Sequence, residues 1–167
     1  MIQERNRLLE RKEIDFLKDK KIYIYGFGNP GRQDDGLGPA IIDRLEQDNI
    51  TGIITDSNYQ LNIEDAHNIS QSDVVIFVDA SIDAEEPFTF KKIEPSNEIT
   101  FTTHSMSPES VLALSKDIYD KDIEAYVMAI RGYEWEFNEE FSPKAVKNFN
   151  EAYVFLIDTI KEMLKDN

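Results

Sequence analysis

Apolar residues follow two patterns along this chain: short continuous runs, and stripes that recur with the period of a helix. The runs predict five strands, at Ile22–Tyr25, Gly52–Thr55, Asp73–Ala80, Phe88–Ile93 and Ala125–Ile130. The third run is apolar from Val74 to Val78, which is typical of a central parallel strand covered on both faces. The fourth run alternates between apolar and polar residues, which favours an edge strand.

Helical stripes separate most of these strands. The first stripe begins at Leu37, and the second follows Asn62, a residue suited to cap a helix. The third and fourth begin at the Ser-Pro pairs Ser107-Pro108 and Ser142-Pro143, each typical of a helix start. This alternation predicts a three-layer α/β domain, with a mostly parallel, twisted five-stranded sheet and helices on both faces. We place a single domain at residues 21–167. Residues 1–20 are interpreted as a charged helical extension.

Composition narrows the function. The 33 acidic and 18 basic residues among 167 give a net charge of −15, which disfavours nucleic-acid and membrane-surface partners because both are anionic. The chain has no cysteine, so thiolate ligands and a cysteine nucleophile are excluded. With no apolar run of membrane-spanning length and a charged N-terminus, we expect a cytoplasmic protein. Nothing in the sequence requires a dimer, so we expect a monomer.

A glycine-rich loop follows the first strand. Gly26, Gly28 and Gly31 match the GxGxxG pattern of dinucleotide-binding loops, and Asp56 stands where a ribose ligand would be expected. In that motif, however, the helix begins within the glycines, so that its free N–H groups meet the pyrophosphate. Here the helix begins later, and two carboxylates, Asp34 and Asp35, occupy the intervening loop. Nucleotide binding, as in a dinucleotide-dependent oxidoreductase, is therefore the least favoured interpretation.

Three acids and one histidine are candidates for chemistry. Asp34 and Asp35 precede the helix at Leu37, where one can cap the helix while the other faces a cleft. Asp79 ends the central strand, so it is expected at the same sheet edge and near the first two. His104 lies in a loop before a helix; together with two carboxylates, an imidazole is a plausible ligand set for nickel, zinc or iron. His67 is expected at the surface, and a serine hydrolase is disfavoured because Ser105 adjoins His104 without a GxSxG elbow.

Three motifs in order resemble the [NiFe]-hydrogenase maturation proteases. They are Gly26-x-Gly28-Asn29-x4-Asp34-Asp35-Gly36-x-Gly38, the strand end Val78-Asp79-Ala80, and Thr103-His104-x-Met106-Ser107-Pro108. Tyr59-Gln60-Leu61, Arg131-Gly132-Tyr133 and Phe141-Ser142-Pro143 also resemble features of the family. The similarity runs from Lys21 to the C-terminal helix.

The resemblance implies an endopeptidase that removes the C-terminal extension of a [NiFe]-hydrogenase large-subunit precursor after nickel insertion. Asp35, Asp79 and His104 would contact nickel supplied by the substrate, and either Asp35 or Asp79 would act in catalysis as the general base. No organic cofactor is expected. The resemblance makes Asp35 the ligand that faces the cleft and Asp34 its structural neighbour. The alternative is a checkpoint protein or chaperone that docks the metal-loaded large subunit without cutting it.

Overall fold

The computed structural model describes residues 2–4, 20–98 and 105–165, and it has the predicted order of strands and helices. Most of the predicted extension over residues 1–20 lies outside the described residues. The strands are β1 (Ile22–Phe27), β2 (Ile53–Asn58), β3 (Val74–Ser81), β4 (Phe88–Ile93) and β5 (Glu124–Arg131). The helices are α1 (Leu37–Gln47), α2 (Ile63–Ile69), α3 (Pro108–Tyr119) and α4 (Pro143–Lys165), and a 3-10 turn, Gln33–Gly36, leads into α1.

The five strands form one sheet in the order β2-β1-β3-β5-β4. Neighbouring strands pair in parallel except β4, which runs antiparallel to β5 at the edge. The predictions of a central third strand and an edge fourth strand are both confirmed. Because β1, β2, β3 and β5 point the same way, their carboxyl ends meet at one edge of the sheet, which we call the carboxyl edge.

The sheet is covered on both faces. Successive residues of a strand point to opposite faces, so Ile22, Ile24, Ile76 and Val78 pack under α1 and α4. The residues between them pack under α2 and α3 on the other face. This arrangement explains the nearly continuous apolar run of β3. Among the described residues, no helix combines the length and the hydropathy that crossing a membrane requires.

Strand β1 extends further than its sequence indicates. Gly26 predicts the end of the strand, but the ladder with β2 continues through the pairs Gly26–Ser57 and Phe27–Asn58. Pairing on both sides outweighs the weak strand propensity of glycine, since Gly26 also pairs with Val78 of β3. The glycine-rich loop therefore begins at the carboxyl edge itself.

Helix starts agree with the predicted signals. Asn62 precedes α2, and its backbone N–H donates to the carboxylate of Asp65 (2.7 Å). The Oγ of Ser107 accepts from the backbone N–H of Ser110 (3.1 Å) in the first turn of α3. Helix α4 begins at Pro143 as predicted. The hydroxyl of Ser142, however, donates to a carboxylate far away in sequence, Asp34 (2.6 Å).

Candidate active site

Glycines bring the start of α1 against the ends of the two central strands. A Cβ on Gly38 would lie 2.5 Å from the carbonyl oxygen of Val78 and 2.6 Å from that of Phe27. A Cβ on Gly26 would lie 2.3 Å from the carbonyl oxygen of Gly38. Such distances are shorter than real Cβ contacts, so only glycine allows this approach. The turn that carries Asp34 and Asp35 is thereby held beside β3 and Asp79.

Gly28 supports the backbone of Asp35. Its φ is +141°, a conformation that side chains rarely adopt. A Cβ there would lie 1.9 Å from the carbonyl oxygen of Asp35. The space that a diphosphate would need against this glycine in a nucleotide-binding loop is therefore filled by the chain itself, and α1 begins only at Leu37.

Asp34 is fully buried and binds the loop that follows β5. Its carboxylate accepts from the backbone N–H groups of Tyr133 (2.7 Å), Glu134 (3.0 Å) and Ser142 (2.9 Å), as well as from the Ser142 hydroxyl. Burial acts to raise the pKa of this carboxyl, but the Ser142 hydroxyl and the three N–H groups outweigh it and hold the pKa below its ordinary value. Asp34 is therefore a structural anion, as the resemblance implies.

Gln33 also binds the turn before Asp35 to the loop that follows β5. It has a positive φ of 45°. Its backbone N–H donates to the carbonyl of Asn138 (2.7 Å), and its side-chain oxygen accepts from the backbone N–H of Glu136 (2.9 Å). Its side-chain nitrogen donates to the carboxylate of Glu134 (3.2 Å) and the carbonyl of Glu140 (3.3 Å). We call residues 132–142 the β5–α4 loop; it is bonded along most of its length to the turn before Asp35.

Asp35 has a different environment from its neighbour. Its side chain is half-buried, and one carboxylate oxygen accepts from the backbone N–H of Asn29 (2.9 Å). The backbone N–H of Asp35 donates to the carbonyl of Arg32 (3.1 Å). Neither Asp34 nor Asp35 caps α1 with its side chain, because the residue at that position is Gly36. The interpretation that one of the two acids caps α1 is therefore wrong. Gly36 stands at the cap position because the 3-10 turn leads directly into α1.

Asp79 lies near the carboxyl end of β3, opposite Ala129 of β5. Burial raises the pKa of its carboxyl to about 7, with a further contribution from the negative charge of Asp35 and an opposing one from the backbone N–H of Ala80. The negative charge of Asp35 therefore acts on the carboxyl of Asp79, in agreement with the prediction that the two acids are neighbours. Asp79 also lines a groove of about 650 Å³ between β3, β4, β5 and the start of α3.

The arrangement suits two kinds of chemistry. Two carboxylates in repulsion, one of them with a raised pKa, are stabilised by a nearby cation. A carboxyl whose pKa lies near 7 can also accept or release a proton at neutral pH, as a general base or acid must. Both uses follow from the pairing of Asp35 with Asp79.

The proposed third ligand, His104, lies outside the described residues. Within the described ranges, no group of three His, Cys, Asp or Glu side chains is placed to hold a metal ion. The ligand set of Asp35, Asp79 and His104 therefore stays a prediction, of which the structure describes the two carboxylates.

The other candidates have structural roles. His67 is exposed, as expected, and its Nδ1 lies 3.0 Å from the hydroxyl of Tyr119. The carboxylate of Asp56 accepts from the hydroxyl of Tyr23 (2.9 Å) and from the backbone N–H of Ser57 (2.8 Å). Asp56 thus bonds to its own sheet, in keeping with the argument against a dinucleotide site.

The partners of Asp34 were not identified from the sequence. The signal was present in two motifs, Arg131-Gly132-Tyr133 and Phe141-Ser142-Pro143, which mark the two ends of the β5–α4 loop. Gly132 is required there because a Cβ would lie 2.8 Å from the Cβ of Asp34 and 3.0 Å from the ring of Trp135. Nothing in the local pattern shows that this loop and the glycine-rich loop meet.

Comparisons with known proteins show what the whole chain is similar to. No family model matches the chain. A protein of Methanocaldococcus jannaschii, provisionally named a hydrogenase maturation protease, is 27% identical over 158 residues, covering 87% of this chain and 100% of that protein. The crystal structure of a [NiFe] hydrogenase maturation protease from Thermococcus kodakarensis KOD1 has a TM-score of 0.64 at 22% identity and covers 90% of this chain and 96% of its own. The chain is similar in sequence and in fold to hydrogenase maturation proteases.

A second solved structure shows the same fold. The hydrogenase maturating endopeptidase of E. coli has a TM-score of 0.67 at 16% identity, covering 85% of this chain and 93% of its own. The resemblance to the hydrogenase maturation proteases, predicted from sequence motifs, and the α/β fold class, predicted from the alternation of strands and helices, are both confirmed.

Proposed function

We propose that this relative of the maturation proteases is an endopeptidase that removes the C-terminal extension from a [NiFe]-hydrogenase large-subunit precursor after nickel insertion. The observation that carries the proposal is the pair Asp35–Asp79. In a chain related to peptidases along most of its length, two mutually repelling carboxylates meet at the carboxyl edge of the sheet, where open α/β sheets bind ligands.

Nickel enters as part of the substrate. Asp35 and Asp79, with His104, contact the nickel that the precursor carries on its own cysteines. Two carboxylates and one imidazole leave further coordination positions on the nickel for the substrate's thiolates. This fits a chain without cysteine that recognises nickel bound to its substrate and does not hold the metal itself. Nickel bound in this way fixes the scissile peptide beside the acid pair.

The raised pKa of Asp79 indicates how this carboxyl releases a proton and how the acid pair then takes one from water. Before the substrate arrives, an Asp79 carboxyl with a pKa of about 7 is present in both protonated and ionised forms near neutral pH. A divalent cation beside the pair favours the ionised form, so docking releases the proton. A carboxylate of the pair then takes a proton from a water molecule while the water oxygen bonds to the carbonyl carbon of the scissile peptide. The peptide C–N bond breaks, and the proton passes to the leaving amine.

A simple experiment tests this function. The enzyme is incubated with nickel-loaded and with nickel-free precursor, and intact mass spectrometry follows the large subunit. We expect a shortened large subunit and a released peptide from the nickel-loaded form only. Equal cleavage of both forms would refute the nickel requirement. Tight binding without cleavage of either form would instead support the checkpoint alternative.

A further inference from the structure

Three exposed apolar side chains lie in segments that leave the strands at the carboxyl edge. Tyr59, Ile82 and Phe137 expose 69%, 69% and 88% of their surface. Within residues 20–98 and 105–165, they are the most exposed large hydrophobic residues. Tyr59 directly follows β2, Ile82 directly follows β3, and Phe137 lies in the β5–α4 loop. We call these three residues the apolar rim.

The rim and the acid pair share one compact area. Parallel strands lie about 4.8 Å apart, so the ends of β2, β1, β3 and β5 together span roughly 14 Å of the carboxyl edge. Asp35 lies in the turn after β1 and Asp79 lies in β3, and both strands lie between β2 and β5 in the sheet. The rim residues and the acids thus belong to segments that leave the same edge of the sheet.

The backbone holds Phe137 in its exposed position. The residues on either side of it, Glu136 and Asn138, both bond to Gln33. Gln33 belongs to the same 3-10 turn as Asp35. The turn that carries Asp35 therefore also holds the backbone around Phe137, whose side chain is exposed to solvent.

The other two rim residues also lie on fixed backbone. The backbone N–H of Tyr59 donates to the side chain of Asn58 (2.8 Å), and the Asn58 carbonyl accepts from Gly28 in the glycine-rich loop (3.1 Å). Next to Ile82, the carbonyl of Ser81 accepts from Gly132 (2.9 Å) and its Oγ accepts from Ala84 (3.0 Å). Apolar groups held in place before binding lose little conformational entropy on association.

We propose that the apolar rim docks the folded body of the protein substrate, in addition to the peptide that is cut; this inference rests on the proposed function. Two exposed aromatic side chains and one isoleucine supply roughly 400 Å² of buried surface. A specific protein interface needs about 800 Å² on each side. The rim is therefore large enough to form the apolar centre of such an interface.

The charges around the rim define the partner's surface. The β5–α4 loop has no Lys or Arg, and four glutamates are exposed around Phe137: Glu134, Glu136, Glu139 and Glu140. The whole chain carries a net charge of −15. The complementary surface is a folded protein face with apolar pockets bordered by Lys and Arg, as charge complementarity at interfaces requires.

The test compares two double variants in cleavage of the nickel-loaded precursor. Ile82→Ser/Phe137→Ser removes two rim residues. Ile118→Ser/Val154→Ser is the matched control and removes two side chains that are exposed on α3 and α4. We expect the rim variant to raise KM at least tenfold with kcat within twofold of wild type, and the control to change neither. A wild-type KM in the rim variant would refute the proposed docking surface. Cleavage of the precursor by that variant would still support the proposed function.

Direct binding separates the two proposals. Precursor immobilised on a biosensor is titrated with wild type and both variants. Binding by wild type that the rim variant loses, in the absence of any cleavage, supports the rim and refutes the endopeptidase. No binding and no cleavage by wild type refute both. A concentration-dependent dimer of the wild type that is absent from the rim variant, seen by sedimentation velocity, assigns the rim to a second copy of the chain and overturns the inference.

Discussion

At the scale of single residues, two adjacent aspartates have opposite roles because their surroundings differ. Asp34 accepts four hydrogen bonds in a buried position. Asp35 is half-buried, and its carboxylate accepts from Asn29 beside a second acid. The sequence alone suggested that such a pair divides its roles, and the resemblance indicated which acid takes which role.

Because the two aspartates have different roles, replacing each by asparagine should lower the free energy of unfolding by different amounts. Asp34→Asn places an amide NH₂ against backbone N–H donors in a buried site, so it should lower the free energy of unfolding by roughly 2 to 4 kcal/mol. Asp35→Asn keeps an oxygen for the Asn29 N–H and should cost less than about 1 kcal/mol. Urea unfolding of both variants measures the difference. Equal losses would contradict the structural role of Asp34.

Asp79 makes stability depend on pH near neutrality. Because its pKa is raised in the folded protein to about 7, from 3.8, the protonated form favours folding. Its stabilising contribution is complete below about pH 4 and is lost as pH rises through about 7. The free energy of unfolding of wild type should therefore fall between pH 5 and pH 8 relative to that of Asp79→Asn, by on the order of 2 kcal/mol.

A companion variant tests the cause of this dependence. Asp35→Asn removes the second contribution to the raised pKa, so the carboxyl of Asp79 should titrate at lower pH. Infrared spectroscopy of the carboxyl band, compared between Asp35→Asn and the double variant Asp35→Asn/Asp79→Asn, measures that pKa. An unchanged midpoint would show that Asp35 and Asp79 do not interact.

At the scale of elements, the site depends on how closely α1 approaches the sheet. Gly38→Ala places a methyl group 2.5 Å from the backbone oxygen of Val78, which forces α1 and the preceding turn away from β3. We expect a loss of roughly 2 kcal/mol or more in the free energy of unfolding. Gly31→Ala is the control, since its Cβ would meet only the side-chain oxygen of Asn29 at 3.3 Å. Equal stability of the two variants would contradict this packing.

Most elements could be predicted because their signals are local. The apolar run of β3, the stripe of α1 and the Ser-Pro pair before α3 each lie within a few residues of the element they specify. The attachment of Asp34 to Tyr133 and Ser142 could not be predicted, because it joins residues about 100 positions apart. The end of β1 was misjudged for the same reason, since pairing with β2 and β3 extends the strand past Gly26.

At the scale of the whole molecule, one edge of the sheet gathers the features that bear on function. Four parallel strands end there, the glycine-rich loop brings Asp35 to Asp79, and the β5–α4 loop is bonded to the same turn. The segments that carry the exposed apolar rim leave the same edge, on a strongly acidic chain. The fold therefore gathers the acid pair and the exposed apolar side chains at one edge of the sheet.

The central claim is that the Asp35–Asp79 pair carries out the cleavage. Its most direct test is the intact mass of nickel-loaded precursor after incubation with wild type, Asp35→Asn, Asp79→Asn and the control Asp43→Asn, an exposed acid on α1. We expect wild type and Asp43→Asn to release the C-terminal peptide at the same rate, and the other two to be at least 100-fold slower, about 2.7 kcal/mol in the activation barrier. Wild-type rates in both Asp35→Asn and Asp79→Asn would contradict the account.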